Sequence, residues 1–242
     1  DEYRNSIWHR VGYVNWGYEA IGRFDSWEQI ANYPVDNDRK GNRTVVPGDI
    51  MYKDQNNDGV INYLDERPIG YRVDSTPTLN FGINLSASWK GFDLAMDWTG
   101  SGMTSWNQCY ETARPFQNDG NSPDEVLKDA WHLSDIWDAN SPLIPGKYPM
   151  VRLNTDETSA YDKSSYWLHN VTYLKLRNLE VGYTFPKTWL NRTGISNLRL
   201  FVSGTNLLTL SNLSVMDPEC ASDNGLDYPP MRVINIGVNL KF

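Results

Sequence analysis

Residues 79–89 read L-N-F-G-I-N-L-S-A-S-W, with the apolar residues at every second position. Leu79, Phe81, Ile83, Leu85, Ala87 and Trp89 share one parity, and Asn80, Gly82, Asn84, Ser86 and Ser88 share the other. Successive strand side chains point to opposite faces, so this segment is a strand with one apolar face and one polar or tiny face. At roughly 3.3 Å per residue and a tilt near 45°, it spans about 25 Å, the height of the apolar band of a membrane barrel. Lys90-Gly91 then supplies a tight turn, and Phe92, Leu94, Met96 and Trp98 resume the alternation against Asp93, Ala95, Asp97 and Thr99. The result is a hairpin with one consistent outer face.

A soluble sandwich has the same local pattern, and two features separate the readings. The first is loop asymmetry. A long polar stretch lies between Gly100 and His169, a short connection spans 186–194, and a loop over 207–230 precedes the last strand. Long and short connections alternate, as in barrels with long outer loops and short periplasmic turns. The second is aromatic placement: Trp89, Phe92, Tyr183, Phe185 and Phe242 all fall at strand ends beside short turns or the terminus. Such rings favour a membrane interface, where one side is apolar and the other wet.

One short helix is expected in the long loop, capped by Ser122 with Pro123 at its first position and Glu125 completing a capping box. Val126, Leu127, Ala130 and Trp131 would form its apolar face. The strand after Leu174 changes parity: Leu174 and Leu176 are even, and the apolar set is odd from Leu179 through Phe185. A bulge near Arg177-Asn178 is therefore expected. Residues 3–14 read as an earlier strand with weaker alternation.

Composition narrows the function classes. Net charge is −8, with 22 Lys and Arg against 30 Asp and Glu, which argues against a nucleic-acid partner. No run of about 18 apolar residues occurs, so no helix of the chain is expected to span a membrane; barrel strands escape that test. The chain opens Asp1-Glu2-Tyr3, as expected of a processed protein or a piece of a longer one. Cys109 and Cys220 both fall in expected external loops, so an oxidising compartment would let them bridge; two unpaired small residues are the alternative.

The ending R-V-I-N-I-G-V-N-L-K-F alternates Ile234, Ile236, Val238, Leu240 and Phe242 against Val233, Asn235, Gly237, Asn239 and Lys241. It also fits a bacterial outer-membrane insertion signal through Asn235, Gly237, Leu240 and the terminal aromatic Phe242. About six strands are too few to close a single-chain barrel, and open edges are not tolerated in lipid. The expectation is the closing part of a larger barrel, with residues 231–242 as its closing strand, the C-terminus periplasmic and the long loops outside.

The whole chain resembles the C-terminal region of SusC/RagA-type TonB-dependent transporters from Bacteroidetes. The resemblance rests on P-G-D-I-M-Y-K-D-Q-N-N-D-G-V-I-N (47–62), T-P-T-L-N-F-G-I-N-L (76–85), Y-L-K-L-R-N-L-E-V-G-Y-T-F-P (173–186), G-T-N-L-L-T-L (204–210), D-P-E (217–219) and the 228–242 ending, in family order. It implies an antiparallel transmembrane β-barrel of 22 strands, an N-terminal plug that residues 1–242 do not include, and a SusD-like surface lipoprotein as lid. It further implies outer-membrane import of oligosaccharides or peptides, driven by the TonB complex through the absent N-terminal part.

Residues 54–65 follow the EF-hand loop pattern. Asp54, Asn56 and Asp58 supply oxygens at positions 1, 3 and 5, Gly59 stands at 6, the Val60 carbonyl at 7 and Asp65 at 12. A hard cation needs six or seven oxygens, and the glycine lets the chain turn around it. Calcium is the expected ion, structural, in an outer loop without flanking helices; Asp65 is shorter than the usual glutamate. The alternative is an Asn/Asp/Gly turn held by its own side-chain-to-backbone bonds.

Catalytic constellations are absent: His9, His132 and His169 form no H-E-x-x-H, and no G-x-S-x-G, P-loop or C-x-x-C occurs. Asp129 and His132 read as solvated surface. Asp217, Glu219, Asp223 and Asp227 form an acidic loop cluster, read chiefly as solvated and less favourably as a second calcium site. Trp106, Trp131 and Trp137 are candidate sugar-stacking residues, against packing of the loops on one another. No enzyme is expected. A passive porin or structural barrel, and a secreted calcium-stabilised carbohydrate-binding β-sandwich, are the competing functions.

Overall fold

The computed structural model describes residues 14–72, 76–153, 157–191, 194–219 and 224–242. In chain order these form β1 (Val14–Gly17), β2 (Ala20–Arg23), α1 (Trp27–Ala31), β3 (Ile50–Tyr52), β4 (Arg67–Arg72), β5 (Leu79–Trp89) and β6 (Phe92–Asn107). There follow α2 (Asp124–Lys128), β7 (His132–Leu133), β8 (Leu143–Ile144), β9 (Leu168–Thr184), α3 (Lys187–Leu190), β10 (Asn197–Ser211) and β11 (Val233–Lys241). The chain divides into two compact units. The first takes Asp1–Thr76, Ser105–Asn170 and Ala221–Leu226, and the second Pro77–Thr104, Val171–Cys220 and Asp227–Phe242.

The second unit is built on a five-stranded sheet ordered β11-β10-β9-β6-β5, in which β5-β6, β9-β10 and β10-β11 pair antiparallel. Lys90 (φ 48°) and Gly91 (φ 90°) both take the left-handed conformation, which matches a two-residue hairpin turn to the twist of its strands. Register then aligns like with like. Leu85 faces Met96, Ile83 faces Trp98, and Val202 faces both Val181 and Ile236. One sheet face is therefore continuously apolar. It is also exposed: Leu79, Phe81, Ile83, Leu85, Leu200, Val202, Ile234, Val238 and Leu240 are all open, and Ile236 is 83 % exposed. Two glycines on the sheet are covered by cross-strand rings, Gly100 by Phe81 and Gly237 by Phe201, and a Cβ at either position would collide with that ring.

The expected aromatic end is present. Phe92 and Tyr183 rings lie 4.6 Å apart, Tyr183 and Phe185 5.0 Å, and Phe185 and Trp189 of α3 6.0 Å. Trp89 and Phe242 stand exposed at the same end of their strands. Residues 90–91 and 185–196 make the connections here, and the long 108–167 and 212–232 segments leave from the opposite end.

Several sequence expectations need correction. The stretch from Gly100 to His169 is not all loop, because β6 runs on to Asn107 and β9 begins at Leu168. Likewise β10 continues to Ser211. The pairing breaks at the level expected, but the extra residue is on the neighbouring strand. Thr205 pairs with Asn178 and Leu208 with Leu176, so Asn206 and Leu207 oppose Arg177 alone, and Asn206 takes φ 53°. Pro123, not Ser122, occupies the cap of α2, with no side-chain cap bond, and the Ser122 hydroxyl is buried without a hydrogen-bond partner. Val126, Ala130 and Trp131 are buried as expected, while Leu127 is exposed. The strand expected over 3–14 lies outside the described residues up to Tyr13; Val14 opens β1.

The first unit holds three two-stranded ladders (β1-β4, β2-β3 and β7-β8) and an aromatic core. Trp167 is its centre: Tyr161 and Tyr148 stack on it at 5.6 and 6.1 Å, Tyr166 meets it edge-on at 4.8 Å, and its Nε1 donates to the Ala160 carbonyl at 2.8 Å. Rings dominate because short ladders offer little repetitive packing, and one aromatic side chain buries as much surface as two small aliphatic ones. A satellite cluster of Phe24, Ile30 and Val45 sits under α1. Ser26 caps that helix by accepting from the Gln29 N–H at 3.2 Å, and the Gln29 side chain accepts from the Asp25 N–H at 2.7 Å.

Candidate functional site

The 54–65 loop belongs to the first unit and follows β3. Gly59 (φ 82°) makes the sharp turn expected of position 6. Asp54 accepts from the Asn57 N–H through Oδ1 at 2.6 Å and from the Gly59 N–H through Oδ2 at 2.8 Å. Asn56 Oδ1 accepts from the Asp58 N–H at 3.0 Å, and Asp58 Oδ1 from the Val60 N–H at 2.9 Å. Asp65, fully buried, closes the loop: Oδ1 accepts from the Gln55 N–H and Oδ2 from the Asn62 N–H, both at 2.8 Å. Hydrogen bonding, led by the Val60 N–H and the Asn56 side chain, holds the Asp58 carboxyl below its ordinary range.

Each candidate ligand thus bonds within the loop: Asp58 Oδ2 accepts from the Asn56 and Asn62 side-chain amides at 2.8 and 3.4 Å, and the Val60 carbonyl accepts from Asn62 Nδ2 at 3.1 Å. The oxygen donors are hard and correctly ordered for calcium. Their carboxylates are not drawn together, since no three His, Cys, Asp or Glu side chains converge as a metal cluster among the described residues.

The polar face of the five-stranded sheet carries a second arrangement, which sequence reasoning missed. Arg199 of β10 pairs with Asp93 of β6 and reaches Glu180 of β9 at 2.7 Å. One level along, Asn178 donates to Asp97 at 3.2 Å and Arg177 to Thr99 at 3.1 Å. Beyond it, Lys175 Nζ donates to both Asp217 oxygens at 3.0 and 2.9 Å and to Glu219 at 2.8 Å. Arg177 pairs with the other Glu219 oxygen, which also accepts from the Tyr173 hydroxyl at 3.1 Å. Lys175 is only 1 % exposed because the D-P-E turn folds back over it. Asp217 and Glu219 are therefore neutralised by strand cations and do not form a second calcium site. Asp223 and Cys220 lie outside the described residues.

The three candidate tryptophans do not come together. Trp106 is buried and stacked on His169 at 5.7 Å, and Trp131 is buried beside the Arg23 guanidinium, whose carbon lies 5.7 Å from its ring. Each of these two rings is engaged in packing. Trp137 is 90 % exposed on the 134–142 loop. Asp129 does not pair with His132: its carboxylate accepts from the Lys147 N–H at 3.1 Å, while His132 Nδ1 lies 2.9 Å from the Ala130 carbonyl. In β11, Asn235 faces Ser203, Gly237 faces Phe201 and Leu240 faces Leu198; Phe242 is exposed just beyond.

No family model matches the chain. The TonB-dependent receptor P3 of Formosa agariphila is 30 % identical to it, over 93 % of this chain and 22 % of that receptor. SusC of Bacteroides thetaiotaomicron, a TonB-dependent receptor, is 24 % identical over 97 % of this chain and 20 % of its own length. The chain is a barrel region of the SusC/RagA type. Solved structures carry the same fold. The RagAB peptide transporter matches 95 % of this chain and 22 % of its own at TM-score 0.58 and 21 % identity. The RagAB peptide importer in its closed-closed state matches at TM-score 0.61 and 20 % identity. This SusC/RagA-type region spans about a fifth of the length of the curated relatives it matches.

Proposed function

We propose that this SusC/RagA-type region is part of the wall of an energised outer-membrane importer. It would take up oligosaccharides or peptides with a SusD-like surface lipoprotein and the TonB complex. The observation that carries the reading is the two-faced sheet. An exposed, continuous apolar face of this size is unstable in water and suits acyl chains. Its opposite face carries paired charges that suit a wet lumen. A secreted sandwich would need that apolar face covered. In this reading the aromatic end is periplasmic, the long connections are extracellular, and Asn235, Gly237, Leu240 and Phe242 form the assembly signal.

Uptake of labelled oligosaccharides and peptides by cells with and without the gene, each with TonB intact or deleted, tests the function. Uptake that requires both gene and TonB is expected; uptake indifferent to TonB would make the barrel a passive pore. Of the three tryptophans, only Trp137 offers an open ring, and it is the one we assign to substrate contact.

We further propose that the 54–65 loop holds a structural Ca²⁺ through Asp54, Asn56, Asp58, Asp65 and the Val60 carbonyl. The support is the order and hardness of the donors and the positive φ at Gly59. Isothermal titration of the full-length protein tests this. Saturable heat with wild type and weakened binding in Asp58→Asn are expected; no uptake at saturating calcium would remove the ion from the account.

A further inference from the structure

We propose that Tyr173, Lys175 and Arg177 of β9 form a binding site for an acidic peptide, and that the chain's own Asp217-Pro218-Glu219 fills it as a displaceable occupant. The proposal rests on the reading of the polar sheet face as the wall of a wet lumen, where an imported peptide would meet it. Residues two apart on a strand share one face and lie about 7 Å apart, so the three side chains form a single row. Asp217 and Glu219 lie over that row and cover Lys175 almost completely. Two cations face two carboxylates, so the charges cancel only when both carboxylates are in place.

What the row already holds defines its chemistry. A lysine ammonium has three N–H donors, and Lys175 bonds both Asp217 oxygens and Glu219 Oε2. Glu219 Oε1 takes the Arg177 guanidinium and the Tyr173 hydroxyl. Asp217 Oδ1 also accepts from the Glu219 N–H at 3.0 Å, so the occupant is a compact peptide turn that offers both carboxylates at once. A neutral peptide would leave the buried ammonium without a counter-charge, which selects against it. The row has supports of its own as well. Arg177 donates from Nε to Thr99 Oγ1 at 3.1 Å and from Nη1 to Asn206 Oδ1 at 3.2 Å, on the two neighbouring strands.

The occupant is lightly tied. Asn212 donates its N–H to the Thr172 carbonyl at 3.3 Å, and its Oδ1 accepts from the Thr172 N–H at 2.9 Å. From there to Glu219, among the described residues, the hydrogen bonds that reach the sheet are those of the Asp217 and Glu219 side chains. Exchanging these ion pairs for the same pairs made by an outside peptide leaves the number of desolvated charges unchanged, so the contact energies nearly cancel. The tethered segment is favoured by proximity, an effective concentration in the millimolar range for a short flexible tether. A free peptide with the same two carboxylates competes once it exceeds that range.

Acetylated, amidated Asp-Pro-Glu titrated into the full-length protein in detergent tests the site, with Asn-Pro-Gln blocked in the same way as control. In wild type, the acidic peptide is expected to half-saturate at about millimolar concentration or above and to speed hydrogen exchange in 212–219. In the Asp217→Asn, Glu219→Gln double variant the tethered competitor is gone, and binding should tighten on the order of tenfold or more. Adding Lys175→Met should abolish that gain. Equal affinity of the double variant for the two peptides would overturn the proposal. So would unchanged exchange of 212–219 in wild type far above millimolar peptide, an arm that decides even where the double variant fails to fold. Tighter binding of digalacturonate than of the acidic peptide would overturn the peptide assignment. Every arm is read on purified protein, so its failure leaves TonB-dependent uptake standing, and uptake without TonB leaves the site standing.

Discussion

Lys175 shows how one residue can look ordinary in sequence and be decisive in structure. Its parity places it on the polar face of β9, but nothing local indicates that Asp217 and Glu219 return to it from 42 and 44 positions away. Removing one member of a buried ion pair leaves the other charges unpaired, typically at about 3–5 kcal/mol. Lys175→Met is expected to free the 212–219 segment, read as new protease cleavage there. Adding Asp217→Asn and Glu219→Gln should restore part of the protection. Asp38 behaves differently. Burial opposes its ionisation, but bonds from the Thr44 N–H and hydroxyl and from the Lys40 and Asn42 N–H groups outweigh that and hold its carboxyl at about 2. Its folded value is depressed, so its contribution is present above the unfolded value near 3.8 and is lost as pH falls toward 2. Asp38→Asn should therefore cost on the order of 1–2 kcal/mol at neutral pH. Exchange of the Lys40, Asn42 and Thr44 amides should differ between the two proteins at pH 6 and converge near pH 2.

At the scale of elements, legibility followed periodicity. β5 was readable to both ends, and so was its turn, because eleven alternating residues and Lys90-Gly91 leave a single register. Beyond Trp98 the apolar beat stops, with Gly100, Ser101, Gly102, Thr104 and Ser105 flanking a single Met103, and the rest of β6 could not be seen. Leu168 to Tyr173 of β9 was hidden for the same reason. The bulge was visible as a parity change, but which strand carries the extra residue is a property of the pair, and no single strand encodes it. In the 54–65 loop the turn at Gly59 was legible, whereas the burial of Asp65 and the backbone bonds that tie Gly59 and Ile61 to Asp36 were not. Strand parity makes a sharp prediction. Ile236→Lys places a charge on the apolar face and should destabilise the folded barrel by about 2–4 kcal/mol if it sits near mid-membrane. Asn235→Lys, one position away, should cost little. Equilibrium unfolding of the full-length protein from lipid vesicles compares them.

For the molecule as a whole, the relation to SusC/RagA-type receptors and the two-faced sheet support the same account, in which the apolar face of β5, β6, β9, β10 and β11 meets lipid. The most direct test is a spin-label scan of the full-length protein in lipid bilayers, one cysteine at a time through residues 79–89 and 233–241. Collision with dissolved oxygen reports lipid, and collision with a water-soluble relaxant reports the polar side. The account predicts strict alternation, with Leu79, Phe81, Ile83, Leu85, Ile234, Ile236, Val238 and Leu240 oxygen-accessible and their neighbours accessible to the aqueous relaxant. Water accessibility at both parities, or none at either, would contradict it.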